Sequence, residues 1–274
     1  MYEDTFFLNQ TLEAIATRDP ARPFFEIWAP HNIHAPLQVP AAYLSKFAFI
    51  EDTRRQAYAA KVNFIDDQLA LVVAALKAAG MWDTTLFILT ADNGGPIYSD
   101  GEAGANNFPL KGGKTSNWEG GVRGNGIVSG GLLPAVRRGV VETGLVSIED
   151  WYATLCALAG VDAFDARAAA AGLPPIDSLN LWPLLSGANA TSPRTEIVLG
   201  IPTISSALSI GDPYLGVQGL IRADGYKLLI GKTHQNVWTS AHYPNASTHW
   251  ANSAADCAGG CLFNVFTDPT EQCV

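Results

Sequence analysis

Thr84-Thr85-Leu86-Phe87-Ile88-Leu89-Thr90, followed at once by Ala91-Asp92-Asn93-Gly94-Gly95, is the stretch that decides the fold. The run is uncharged and rich in β-branched and aromatic residues, so it reads as a strand buried on both faces, as parallel sheets require. The glycines let the backbone turn sharply at the strand's carboxyl end, where ligands collect in open α/β sheets. A carboxylate beside a carboxamide at that edge is a hard-oxygen pair suited to Ca²⁺ or Mg²⁺ rather than zinc. A plain turn uses the same residues.

Upstream, Tyr58, Val62, Ile65, Leu69, Val72 and Leu76 form a helical stripe closed by Gly80. Before it, Pro23 to Ala29 reads as a second buried strand, and the loop Pro30 to Pro36 carries His31 and His34. The first eighteen residues read as an amphipathic helix ended by Asp19-Pro20. Downstream, a glycine- and asparagine-rich loop over 93–121 leads to a strand within Val122–Ser129. Ser147-Ile148-Glu149-Asp150 forms a capping box for a helix running to Ala159, with Gly160 as its stop. A connector over 162–180 precedes short β-like runs at Glu196–Leu199, Leu215–Ala223, Tyr226–Ile230 and Leu262–Phe266. This order predicts an α/β layer over 1–190, a mostly parallel sheet flanked by helices, and a small antiparallel C-terminal subdomain over 191–274.

Composition narrows the function classes. With 48% hydrophobic and 16% charged residues, the chain can bury a sizeable core. Seventeen basic against 26 acidic side chains give a net charge of −9, which speaks against nucleic acid as a partner. The most apolar helical stretch, Leu69–Trp82, is short and broken by Lys77, so no membrane span is expected. Met1-Tyr2-Glu3-Asp4 lacks the basic start of a signal peptide. Cys156 lies in an apolar run and reads as a small core residue, whereas Cys257, Cys261 and Cys273 crowd the C-terminus. Cys257 and Cys261 are close enough in sequence for a local disulfide, and a zinc site with His249 is a weaker alternative. Three N-x-S/T sequons, at Asn9, Asn189 and Asn245, favour secretory passage.

Two further groups can carry chemistry. Lys111 and Lys114 sit in the glycine-rich Pro109-Leu110-Lys111-Gly112-Gly113-Lys114, where a lysine can reach an anionic oxygen. The alternative is two solvated surface lysines. His31 and His34 have H-x-x-H spacing, but on a proline-flanked loop rather than a helix, which makes a poor zinc pair.

These segments together resemble the sulfatases. Phe24 to Pro40, with His34-Ala35-Pro36-Leu37-Gln38-Val39-Pro40, resembles the stretch with the sulfate-binding histidine in the arylsulfatase B-like branch. Asp83 to Gly95 resembles the strand delivering a metal-binding Asp-Asn pair. Pro109 to Arg123, with Lys114 and then Trp118-Glu119-Gly120-Gly121-Val122-Arg123, is similar to the segment of the active-site lysine. Later landmarks follow in order at Asp177–Trp182, Ile221-Arg222, Tyr226-Lys227-Leu228, Leu262-Phe263-Asn264 and Asp268-Pro269. The resemblance implies an alkaline-phosphatase-like fold and hydrolysis of sulfate esters, small molecules or sulfated glycans. It also implies calcium held by Asp92 and Asn93, with Lys114 and His34 on the sulfate. It places the protein in the secretory pathway, lysosomal or extracellular.

Sulfatases of this type use a formylglycine, made from the cysteine of Cys-x-Pro-Ser-Arg, whose hydrated aldehyde attacks sulfur. No cysteine here has that motif; Thr191-Ser192-Pro193-Arg194 lacks a cysteine or serine two residues before its proline. The family's paired metal aspartates after the first strand are also missing, and Asp66-Asp67 lies mid-helix instead. The family's additional lysine–histidine pair is absent too. Chain upstream of residue 1 would account for all of these together, with the 274 residues inactive alone. The alternatives are an inactive module that binds a sulfated glycan or a partner, and a phosphate- or phosphonate-ester hydrolase of the same superfamily.

Overall fold

The computed structural model describes residues 2–97, 104–200, 218–245 and 253–272. Helix α1 (Glu3–Thr17) packs against α3 (Thr53–Ala78), with the short α2 (Ala41–Leu44) beside them. The N-terminus of α3 is set by Asp52, whose Oδ1 accepts the backbone N–H groups of Arg54 (3.0 Å) and Arg55 (3.1 Å). Gly80, at φ +67°, ends it.

The α3 stripe is displaced from its expected position. The buried face is Ala57, Ala60, Lys61, Phe64, Gln68, Val72 and Leu76, while Tyr58, Val62, Ile65 and Leu69 line an open groove. Two of the buried positions are polar, so hydropathy alone picked the neighbouring, half-covered face.

Strand β1 (Phe87–Thr90) pairs with β2 (Gly126–Ser129), Phe87 opposite Ser129 and Thr90 opposite Gly126, and the pairing is antiparallel. The helix α4 (Glu119–Val122) replaces the first part of the strand expected from Val122. Residues 23–29 make no ladder: Phe24 and Trp28 pack on Leu8, Ile15, Val72 and Leu76, while Phe25 and Ile27 are 68% and 76% exposed. An apolar extended run becomes a strand only when a neighbour accepts its backbone hydrogen bonds, and the described residues supply none.

Helix α5 (Asp150–Leu158) is followed by α6 (Ala166–Ala170) and α7 (Trp182–Ser186). The capping box at α5 is half realised. The Asp150 carboxylate accepts the Ser147 N–H at 3.0 Å, but the Ser147 hydroxyl donates to Glu149 rather than to the helix backbone. Asp150 also takes Arg194 in a two-pronged contact, Nε to Oδ2 at 2.7 Å and Nη2 to Oδ1 at 2.5 Å, and accepts the N–H of Leu179. Thus Arg194 serves as a buried tie across the connector.

The remaining strands, β3 (Glu196–Gly200), β4 (Gln218–Arg222), β5 (Tyr226–Thr233) and β6 (Ala255–Asn264), form one antiparallel sheet in sequence order. Both sheets of the described residues are therefore antiparallel, whereas a mostly parallel sheet was expected. Cys257 and Cys261 form the local disulfide, buried with Trp118, Leu229 and Phe263. His249 and Cys273 lie outside the described residues. Cys156 is half-buried and lines the groove instead of sitting in the core. Asp66 and Asp67 fall inside α3, as the periodicity required.

Candidate functional site

Three loops meet at the end of β1. The first, after β1, carries Asp92 and Asn93. It lies against the 112–121 segment: Gly94 N–H donates to Gly121 O (2.8 Å) and Lys114 N–H to Gly95 O (3.1 Å). The approach is so close that a Cβ at Gly94 would lie 1.7 Å from Gly120 O, so the glycine here is a steric requirement.

Asn107 fastens the two loops together. Its Oδ1 accepts the Gly95 N–H (2.9 Å), and its Nδ2 donates to the carbonyls of Gly95 (2.8 Å) and Gly112 (3.0 Å). Gln235, two residues past the end of β5, then holds the lysine loop, its Nε2 donating to Lys114 O at 2.7 Å.

The third loop brings His34. Its Nδ1 lies 2.8 Å from the Ala35 carbonyl, which makes Nδ1 the protonated nitrogen and leaves Nε2 with a lone pair. Lys114 Nζ is 3.1 Å from that Nε2, across 80 positions of sequence. Lys114 Nζ, facing solvent, is a donor for an incoming anion oxygen, and His34 Nε2 accepts from Lys114 or, once protonated, becomes a second donor to the same anion. His31 takes no part: its Nδ1 pairs with Glu3 at 3.0 Å.

His34, Lys114, Asp92 and Asn93 all line one groove of about 2830 Å³. That is well above the roughly 300–1,000 Å³ of an ordinary ligand pocket, so it is an open face of the molecule with the polar loops at one end. Asp92 is exposed and Asn93 half-buried. Among the described residues, no group of three or more His, Cys, Asp or Glu side chains could hold a metal ion. Calcium takes 6–8 oxygens, so Asp92 and Asn93 have the right chemistry but fill only part of such a shell.

Behind the lysine loop lies a buried charge network. Lys227 Nζ is 2.8 Å from both Glu119 Oε1 and Glu271 Oε1, and Glu271 Oε2 accepts the Glu119 N–H at 2.7 Å. Burial pushes the Glu271 carboxyl up against the pull of Lys227. Lys111, 5% exposed, places Nζ over the rings of Trp118 (3.7 Å) and Trp238 (4.4 Å). Desolvation lowers its pKa to about 8. Of the two lysines in the glycine-rich loop, then, Lys114 faces the groove and Lys111 is built into the wall. Residue type and spacing do not separate them, only the family resemblance does, and Asn107, Gln235 and Glu271 carry no local signal at all.

The fold around these loops is shared with solved proteins. The crystal structure of Ps i-CgsB in complex with k-i-k-neocarrahexaose superposes with a TM-score of 0.70 at 26% identity, covering 99% of this chain and 50% of that one. PsFucS1 sulfatase from Pseudoalteromonas sp. superposes at 0.67 and 24% identity, covering 98% and 47%. The shared fold is the alkaline-phosphatase-like α/β kind.

A sequence model of the sulfatase family matches residues 1–161, and the chain belongs to that family. Arylsulfatase J of Mus musculus is 31% identical over 285 residues, covering 99% of this chain and 45% of the relative. N-acetylgalactosamine-6-sulfatase of Homo sapiens is 34% identical over 180 residues, 65% and 31% of the two chains. The chain thus spans half or less of the length of these relatives. No helix among the described residues is long and apolar enough to cross a membrane.

Proposed function

We propose that this chain carries the sulfate-contacting and metal-edge part of an arylsulfatase-type sulfuric ester hydrolase, for a small sulfate ester or a sulfated glycan. One observation carries the reading: Lys114 and His34 meet at 3.1 Å at the end of the strand that delivers Asp92 and Asn93.

Lys114 offsets the charge of the sulfate and donates to one of its oxygens. His34, with Nδ1–H given to Ala35, holds its exchangeable proton at Nε2; protonated there, it donates to the bridging oxygen as the S–O bond opens. Asp92 and Asn93 would supply two oxygens to a bound calcium, which would add positive charge at the sulfate. Attack on sulfur belongs to a formylglycine whose Cys-x-Pro-Ser-Arg motif these residues do not contain. We therefore assign them binding without turnover. The Cys257–Cys261 disulfide and the exposed sequon asparagines Asn9 and Asn189 support a secretory, lysosomal or extracellular location.

Calorimetry with inorganic sulfate tests the site. His34→Ala and Lys114→Ala should each weaken binding about 10- to 100-fold, the range for hydrogen bonds to charged groups. Unchanged affinity in both would overturn it. A chromogenic aryl sulfate should show no turnover above the Lys114→Ala background, and calcium should bind only in about the millimolar range typical of weak sites. Micromolar calcium binding that survives Asp92→Ala would remove the metal assignment.

A further inference from the structure

We propose that Lys61 and Asp4, whose side chains reach the His34 loop only through its backbone groups, are positioning residues that set the imidazole of His34. The proposal deepens the sulfate-site reading, which says only what His34 is for.

Lys61 lies on the buried face of α3, between Ala60 and Phe64, and is 2% exposed. An apolar side chain would satisfy packing there, and a buried ammonium is costly unless it is paired and hydrogen-bonded. Yet among the described residues no carboxylate lies within ion-pair distance of it. Its Nζ instead donates to two backbone carbonyls, those of His34 and Pro36, the latter at 3.1 Å. Those carbonyls flank the carbonyl of Ala35, which fixes His34 Nδ1.

Asp4 does the reciprocal task from α1. It is 3% exposed, and its Oδ1 accepts the N–H groups of His31 (2.9 Å) and Asn32 (3.3 Å). Asn32 closes the circuit, its Nδ2 donating to the Lys61 carbonyl at 2.9 Å. A loop with no ladder or helix of its own is thus held at one end by a buried anion and at the other by a buried cation. The two helices supplying them are packed on each other. The field of Asp4 also favours the charged form of Lys61 against desolvation, which lowers its pKa. The backbone of residues 31–36 is therefore fixed from the protein interior, and with it the direction in which His34 presents Nε2 to Lys114.

The test follows the His34 ring by NMR in the full chain, with His34→Ala to assign its Cε1–H signal. Lys61→Met keeps bulk but removes the donor. It should shift that signal toward a free imidazole without any anion present, and weaken inorganic sulfate binding at least about tenfold, as lost outer partners of ligands do. Phe64→Leu, on the same helix face, is the control for destabilisation alone and should leave the signal in place. Lys61→Gln, which retains an N–H donor, should restore part of the wild-type shift. Should Lys61→Met fail to fold, the unsubstituted chain decides: the Lys61 ammonium protons should exchange slowly and show contacts to the Ala35 Hα. A His34 signal that moves equally in Phe64→Leu, or a fast-exchanging Lys61 ammonium, overturns the proposal. Failure of sulfate to bind even the unsubstituted chain refutes the sulfate-site reading and leaves the His34 signal to judge the positioning role.

Discussion

Lys111 shows how a single side chain can be misread. By sequence it is the twin of Lys114, three residues away in the same glycine-rich loop. In the fold it is enclosed by Trp118, Trp238 and Phe263, its pKa lowered from 10.5 to about 8 by desolvation. The unfolded chain binds this proton up to the ordinary lysine value, whereas the folded chain releases it earlier. Between pH 8 and 10.5 the unfolded state therefore holds more protons, and stability rises with pH across that window. The cost of holding the buried charge is fully present below pH 8, at most about 3 kcal/mol. Urea midpoints at pH 7.5 and 9.5 should rise in the unsubstituted chain and show a smaller rise in Lys111→Met; equal slopes would mean Lys111 is already well solvated. His34, Asp92 and Asn93 were legible because their types and order resemble a known family. Lys61 and Asn107 were not, since each acts through backbone groups far away in sequence.

At the scale of elements, the charge network ties β5 to α4 and so to the loop of Lys114. Lys227 sits between Glu119 and Glu271, and all three are almost fully buried. A buried ion pair of this kind contributes little net stability over an apolar replacement, but removing one partner alone leaves the others uncompensated, at about 3–5 kcal/mol. Lys227→Met should therefore destabilise by that amount. Because the orphaned carboxylates can then be protonated, its deficit should shrink as pH falls from 8 toward 5. Adding Glu119→Gln and Glu271→Gln to it should recover much of the loss. A deficit that is constant with pH would show that the carboxylates find other partners. Three of the C-terminal runs match β3, β4 and β5 because each alternates or is β-rich. Leu262–Phe266 catches only the last three residues of β6, whose Ala255–Cys261 part is rich in alanine and glycine. The pairing of β1 with β2 was not, because an apolar run states its burial and not its partner's direction. The stripe on α3 failed for a related reason: Lys61 and Gln68 lie on its buried face, and hydropathy cannot assign a lysine there without seeing the carbonyls that receive it.

Across the whole molecule, apolar side chains are unevenly covered. Phe25 and Ile27 stand exposed on a run with no ladder, and they line the same open groove as the part-exposed Leu89 of β1. Unpaired extended backbone with apolar side chains is a template for another chain, and soluble monomers rarely keep large apolar patches bare. The helices α1 and α3 cover Phe24 and Trp28 from the other side but leave the backbone of residues 23–29 without partners. The chain on its own should therefore associate. Gel filtration with light scattering should give a mass above 29.1 kDa that rises with concentration. Ile27→Lys, which puts a charge on the exposed side without touching the packed side, should shift the distribution toward the monomer. A sharp monomer at all concentrations, melting cooperatively above about 60 °C, would show that this face needs no partner and that residues 1–274 fold as a self-sufficient unit.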